Sequence, residues 1–213
     1  MNFNQHSDKI GKHAFLSPSQ NYWINYDPDQ LRTRYVNSWS STIGTALHDI
    51  ARRAIKHRIR LGKADKKMIL LELIDNYHIP RNIIASLDNF DSMIVNLVNY
   101  IRDCIGYGMT SEQILYYSDY CFGTADAISF DEDGKFLRIH DLKTGLGPTH
   151  MEQLETYAAL FCLEYVKKPN DIQMELRIYQ TEEVKILQPE PKDISDIMKE
   201  IKSFSLILDE YRY

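Results

Sequence analysis

The stretch from Gly123 to Gly145, GTADAISFDEDGKFLRIHDLKTG, limits the fold more than any other part of this sequence. Two runs with strand character, Thr124–Phe130 and Lys135–Lys143, flank an Asp133-Gly134 pair. Asp-Gly is the preferred pair for a two-residue hairpin turn, because both residues tolerate positive φ. Such a turn sets Glu132 against Lys135, so opposed residue numbers sum to 267 and Asp126 lies across from Asp141. Their Cβ atoms would then be about 4.5–5.5 Å apart. A four-residue loop would shift the register by two and leave the acids diagonal on one face. The remainder of that face is apolar, with Ile128 and Phe130 against Ile139 and Leu137. Strand alternation adds Lys143 to it and turns Leu142 the other way.

Two carboxylates at the end of an apolar sheet face are costly unless a cation sits between them. A hard divalent ion with oxygen ligands meets that need, with Lys143 beside it. A carboxylate–lysine salt bridge at a sheet edge meets it too, and the hairpin alone does not separate the two readings.

Helical patterns precede the hairpin. Leu16-Ser17-Pro18-Ser19 predicts a helix to about Tyr26, with Ser17 as N-cap and Pro18 at the first helical position. From Ser40 to about Leu61, Ile43, Leu47, Ala51, Ala54 and Ile55 form an inward stripe. Arg52, Arg53, Lys56, Arg58 and Arg60 cover much of the rest. His48 falls on the face of Ala51, Ile55 and Ile59, as a core histidine or a ligand. Residues 65–78 and 89–105 are helical in pattern, separated by Pro80 and a short run near Asn82–Leu87. Gly106 and Gly108 close this part.

Ser111–Phe122 reads as the first strand, leading through a bend or bulge near Cys121–Gly123 into the hairpin. Glu112, at its start, is an exposed edge glutamate or an additional acid. After Lys143 a turn-rich loop, Thr144 to Pro148, opens a helix to about Val166. Leu154, Ala158, Phe161, Cys162 and Tyr165 are its buried stripe, and Gln153 and Tyr157 stand four apart at the border. Asp171–Gln180 alternates, with Ile172, Met174, Leu176 and Ile178 on one face, as in a strand with its other side solvated. Val184–Leu187 is its hairpin partner, and a last helix runs from about Ile194 to Tyr211.

Gly-x-x-Asp at Gly123–Asp126, a short gap, and Asp-x-Lys-Thr-Gly at Asp141–Gly145 resemble the core of the PD-(D/E)xK nucleases, in their RecB-like exonuclease branch. Ala125-Asp126 stands where the family name has Pro-Asp. The L-S-x-S of Leu16–Ser19, the G-T-A-L-H of Gly44–His48 and the Q-x-x-x-Y of Gln153–Tyr157 resemble further motifs of that branch, in its order. The resemblance covers about residues 14–190 and looks closest to small nucleases of phages and other mobile elements. It implies a restriction-endonuclease-like α/β fold: a small mixed sheet flanked by helices, with a helical insertion before it. One domain, 1–213, would comprise a helical part (about 14–105), a catalytic core (106–190) and a C-terminal helix (192–213).

The resemblance also implies chemistry. Mg2+ or Mn2+ would be held by His48, Asp126, Asp141 and the backbone carbonyl of Leu142, with Lys143 supporting the attacking water. Gln153 and Tyr157 would brace the DNA, and Glu112 would be an extra acid, which some members place near the metals. Iron–sulfur members carry a cysteine near the position of Tyr26-Asp27-Pro28 and a cysteine group near the C-terminus; neither is present, so no cluster is expected. The implied activity is an exonuclease at DNA ends in recombination, repair or processing, working with a recombinase, annealing protein or helicase. A structure-specific endonuclease and a non-cleaving binding module on the same fold are the alternatives.

The net charge of −5 would argue against a nucleic-acid partner, but its distribution does not. Residues 52–67 hold 8 Lys or Arg and one acid, a local +7, leaving −12 on the rest. Such a basic stripe tracks phosphates, through Arg52, Arg53 and Lys56, or is a solvated helix face. No GxxxxGK[ST] loop is present, so no ATP is expected. Three scattered cysteines, no span-length apolar run and no signal-like N-terminus point to a reducing cytoplasm, bacterial or phage-infected.

Overall fold

The computed structural model describes residues 4–212. Their α-helices and strands are α1 (Pro28–Ser38), α2 (Ser40–Lys56), α3 (Lys66–Asp75), α4 (Arg81–Ala85), α5 (Phe90–Gly106), β1 (Thr110–Ser118), β2 (Cys121–Asp131), β3 (Phe136–Leu142), α6 (Glu152–Glu164), β4 (Gln173–Gln180), β5 (Glu183–Leu187) and α7 (Pro191–Asp209). The strands form one sheet in the order β1-β2-β3-β4-β5, with β3 and β4 parallel and the other neighbours antiparallel. The protein is thus α/β, with N-terminal helices followed by a five-stranded mixed sheet packed against helices. The parallel pair needs a crossover, which α6 supplies.

Each sheet face buries its own core. One cluster joins α2 to α5 with Ala127, Leu142 and Tyr179 of the sheet. The other joins α6 and α7 with Leu115, Ala125, Ile128, Leu137, Ile139 and Leu176. All five residues expected on the α2 stripe are buried. Among the described residues, no helix is long and apolar enough to cross a membrane.

Several boundaries differ from expectation. The helix α2 stops at Lys56 rather than near Leu61. The Ile59 N–H returns to the Ala54 carbonyl (2.8 Å) and the Arg58 N–H to that of Ile55 (3.1 Å), with Arg58 at φ 55°. That is a Schellman closure with arginine at the position usually held by glycine. The segment Pro18–Asn25 is a 3-10 helix kinked at Gln20, and Ser17 does not cap it; the Ser17 Oγ lies 2.8 Å from the Ser19 Oγ instead. The helix α1 was not anticipated. Its capping box is complete: Asp27 accepts from the N–H groups of Asp29 (2.9 Å) and Gln30 (2.8 Å), and Gln30 accepts from the Asp27 N–H (3.2 Å).

The first strand ends at Ser118, and Phe122 belongs to β2, paired with Tyr116. Between them Asp119-Tyr120 makes the turn, with the Tyr120 N–H donating to the Ser118 Oγ (3.3 Å). The β2–β3 turn takes four residues, 132–135, yet keeps the 267 register, from Asp131 opposite Phe136 to Ala127 opposite His140. Opening the loop by one residue on each side leaves the sum unchanged. The turn is set by Asp131, whose carboxylate accepts from the Asp133 N–H (3.2 Å). A Cβ on Gly134 would lie 2.6 Å from that carboxylate, and Lys135 takes the positive φ of 49°.

The second side of β4 is covered rather than solvated. Arg177 pairs with Glu175 (2.9 Å) and Asp103 (3.4 Å), and the Tyr179 hydroxyl donates to Asp103 (2.9 Å), so α5 closes over the polar face.

Candidate active site

Three elements bring the hairpin acids, the lysine and their neighbours to one end of the sheet. Regular alternation fails in the middle of β2: Ala125 and Ile128 both join the α6-side core, while Ala127 joins the opposite one. The β1–β2 ladder omits the Glu112–Asp126 pair, and Glu112 has φ 52°. At this local irregularity, with the register unshifted, the Asp126 carboxylate is aimed at α2, where its Oδ2 lies 3.4 Å from the His48 Nδ1. The same oxygen accepts a hydrogen bond from the Leu142 N–H (3.1 Å), so Asp126 takes the place of a main-chain partner at the end of β3.

Asp141 is buried. The Lys143 Nζ lies 3.2 Å from its Oδ1 and 3.0 Å from its Oδ2, but the Oδ2 contact lacks hydrogen-bond alignment and that oxygen is left without a partner. Lys143 also donates to the Gln153 Oε1 (3.0 Å), which ties the hairpin to the first turn of α6. Tyr157, one turn on, lies against Gly123, where a Cβ would approach its Cε1 to 2.9 Å. Thr144 sits over α2 in the same manner, its Oγ1 3.0 Å from a Cβ built on Gly44. His48, Asp126, Asp141, Lys143, Gln153 and Tyr157 therefore occupy one region, with Leu142 at its centre.

Burial pushes the Asp126 carboxyl above its ordinary range, and the Asp141 charge pushes the same way, against His48, the Leu142 N–H and Lys143. Whether a metal suits the site follows from its donors. The ladder ends at Ala127 opposite His140, so Asp126 and Asp141 are neighbours at the sheet end and not the expected cross-strand pair on one face; a buried carboxylate oxygen without a hydrogen bond, with a second acid near it, favours a hard cation. Among the described residues, however, no three His, Cys, Asp or Glu side chains gather into a ready cage. That combination suits Mg2+ or Mn2+ held by one or two carboxylates with most of its waters retained, and does not suit a fully protein-caged ion. The residues fit on those terms.

The expected phosphate contacts are less free than their charge suggested. Arg53 is held by Glu72, by the Tyr77 hydroxyl (3.2 Å) and by Asp49 (3.2 Å). Arg52 pairs with Asp49 and, at 3.2 Å, with Glu112. Tyr77 donates to Asp49, and that hydrogen bond leads in holding the Asp49 carboxyl below its usual range. Arg53 thus ties α2 to α3, while Lys56 is exposed at the helix end. Glu112 is exposed and engaged with Arg52.

Sequence reasoning missed Gln180, whose side-chain amide donates to the Gly147 carbonyl (2.9 Å) and to that of Gly145, holding the loop after Lys143. It also missed the close approach at Gly44. Neither carries a local signal, since both depend on chain segments far away in sequence. Comparison of the chain with protein-family models, curated proteins and solved structures returned no match in any of the three.

Proposed function

We propose that this protein is a metal-dependent deoxyribonuclease with a restriction-endonuclease-like fold, an exonuclease acting at DNA ends in the cytoplasm, in recombination, repair or processing. The observation that carries the reading is the convergence of Asp126, Asp141 and Lys143 with His48 and Gln153 at one sheet end. The resemblance of the Gly123–Gly145 and Gln153–Tyr157 motifs to RecB-like nucleases supports it, and so does the sheet order with its parallel β3–β4 pair.

In this mechanism Asp126, Asp141, His48 and the Leu142 carbonyl hold Mg2+ or Mn2+, which supplies Lewis acidity to water and phosphate when bound. Lys143, tethered between Asp141 and Gln153, presents its ammonium to orient the attacking water and to offset charge developing on the phosphate. Gln153 and Tyr157 brace the strand from α6, and Lys56 contacts a phosphate. A recombinase, annealing protein or helicase would supply or receive the processed end.

The test is digestion of end-labelled linear duplex, single-stranded and closed circular DNA with Mg2+, Mn2+ or EDTA, beside Asp141→Ala. Metal-dependent loss of linear DNA only, absent in the variant, is expected. Cleaved circles would replace the exonuclease with a structure-specific endonuclease. A second reading is a DNA-binding module on this fold that does not cut. Binding with unchanged DNA length under every metal condition would establish that reading and overturn the first.

A further inference from the structure

The face of the β1–β2 hairpin opposite α6 carries large apolar side chains that no helix covers. Ile114 is 57% exposed, Tyr116 46% and Phe122 61%. Cross-strand pairing sets Tyr116 against Phe122 and Ile114 against Thr124, and the Tyr116 and Phe122 rings are stacked, 6.2 Å between centroids with 29° between planes. Exposed aromatics at adjoining positions are uncommon without a partner. These rings are also held in place: the Tyr116 hydroxyl donates to Asp119 (2.9 Å), and Asp119 pairs with Arg212.

The platform leads to the candidate site. Phe122, Thr124 and Asp126 follow one another on the same side of β2 up to the break in alternation. Four residues of strand span about 13 Å, the length of three to four stacked nucleotides at 3.4 Å each. Beyond Asp126 the same direction reaches a cleft of about 450 Å³ between the end of α2 and the start of β1, lined by Arg52, Lys56 and Arg58 and by one acid, Glu112, which pairs with Arg52. A stacking surface, Asp126 and a basic cleft therefore follow one another along this face of β2, with Asp141 and Lys143 at the adjoining sheet end. Strand addition by a protein is disfavoured at this edge, because the Tyr116 N–H already donates to the Glu164 carboxylate (2.9 Å).

We propose that Tyr116 and Phe122, with Ile114 beside them, are a stacking platform for the unpaired bases of a DNA strand that runs through the site toward the basic cleft. This rests on the deoxyribonuclease reading and adds a substrate form: an end with a short single-stranded segment. Aromatic faces receive any base, so the platform is indifferent to sequence.

The test uses the full chain and a fluorescein-labelled oligothymidine, with binding read by anisotropy in EDTA and cleavage read in Mg2+. Phe122→Ala, at an exposed position, is expected to weaken binding roughly tenfold, with Phe122→Trp retaining it. An oligonucleotide with abasic residues at successive positions locates the contact: where the base is missing, wild type and Phe122→Ala should bind alike. A merely structural role for Phe122 would not depend on the base. If wild type binds and cuts while Phe122→Ala and Tyr116→Ala do the same with unchanged KM, the platform is refuted and the nuclease reading stands. If wild type neither binds nor cuts, both fall. Concentration-dependent self-association abolished by Phe122→Ala would assign the face to a second copy and also overturn the proposal.

Discussion

Replacing Gly123 by alanine tests the packing between the hairpin and α6 without assuming any activity. Gly123 lies in regular strand pairing opposite Leu115, and its φ is not positive, so alanine meets no backbone strain. The added Cβ would sit 2.9 Å from the Tyr157 Cε1, 3.3 Å from its hydroxyl and 3.5 Å from its Cζ. A contact that short forces the ring to shift, and Tyr157, half-buried, can yield only partly. Overpacking of this kind costs about 1–3 kcal/mol, while the stiffer unfolded chain returns about 0.4–1 kcal/mol. The net loss is about 1–2 kcal/mol, which lowers Tm by roughly 2–8 °C for a chain of this length. The cycle with Tyr157→Ala isolates the cause: in that background the clash is gone, and Gly123→Ala should stabilise by about 0.4–1 kcal/mol. Urea unfolding of the four proteins measures it. A higher Tm for Gly123→Ala in the native background, or the same effect in both backgrounds, would refute the reasoning.

Lys143→Ala should abolish metal-dependent cleavage with circular dichroism unchanged, while stability falls because Asp141 is left buried without its cation; retained cleavage removes the lysine from the mechanism. His140 is fully buried, and burial, followed by Arg177 and Arg138, pushes its pKa down to about 3. The unfolded chain therefore binds a proton that the native state refuses, and stability falls as pH drops below the unfolded value near 6.5, by up to about 1.4 kcal/mol per pH unit. His140→Gln should flatten that slope in urea titrations at pH 7, 6 and 5, and an unchanged slope would contradict it. Asp27→Ala removes the capping box of α1 at a cost of about 0.5–2 kcal/mol. Because α1 buries no residue, the expected change is faster hydrogen exchange over 28–38 with the global Tm unmoved.

The hairpin was legible because its determinants are local: Asp131, Asp133 and Gly134 lie within the turn and alternation runs on both sides. Even there the mechanism differed, since the Asp131 carboxylate and not a positive-φ Asp-Gly pair shapes the loop. Helix ends were hidden where Arg58 and Val166 take positive φ without glycine. The turn at Ser118–Tyr120 and the start of α1 at Asp27-Pro28 did carry signals, in Ser-Asp and in a capping box. What no window could show were contacts between distant segments. Arg53 reads as a free cation until Glu72 is folded beside it, and Arg177 reads as solvated until α5 brings Asp103. The break in alternation at Asp126 belongs to the same class: its neighbours Ala125 and Ala127 look alike, and only the two cores reveal that they face opposite ways.

His48 stands on a helix of one core and Gln153 on a helix of the other; Asp126 meets the first and Lys143 the second, at the same end of the sheet. Neither half of the chain holds the constellation alone. A nascent chain that has not yet produced α6, or a native molecule whose α2 has swung away, lacks the complete site however well its remaining part is folded. The site is in that sense a seam between the two cores, complete only where helices from both meet the end of the sheet.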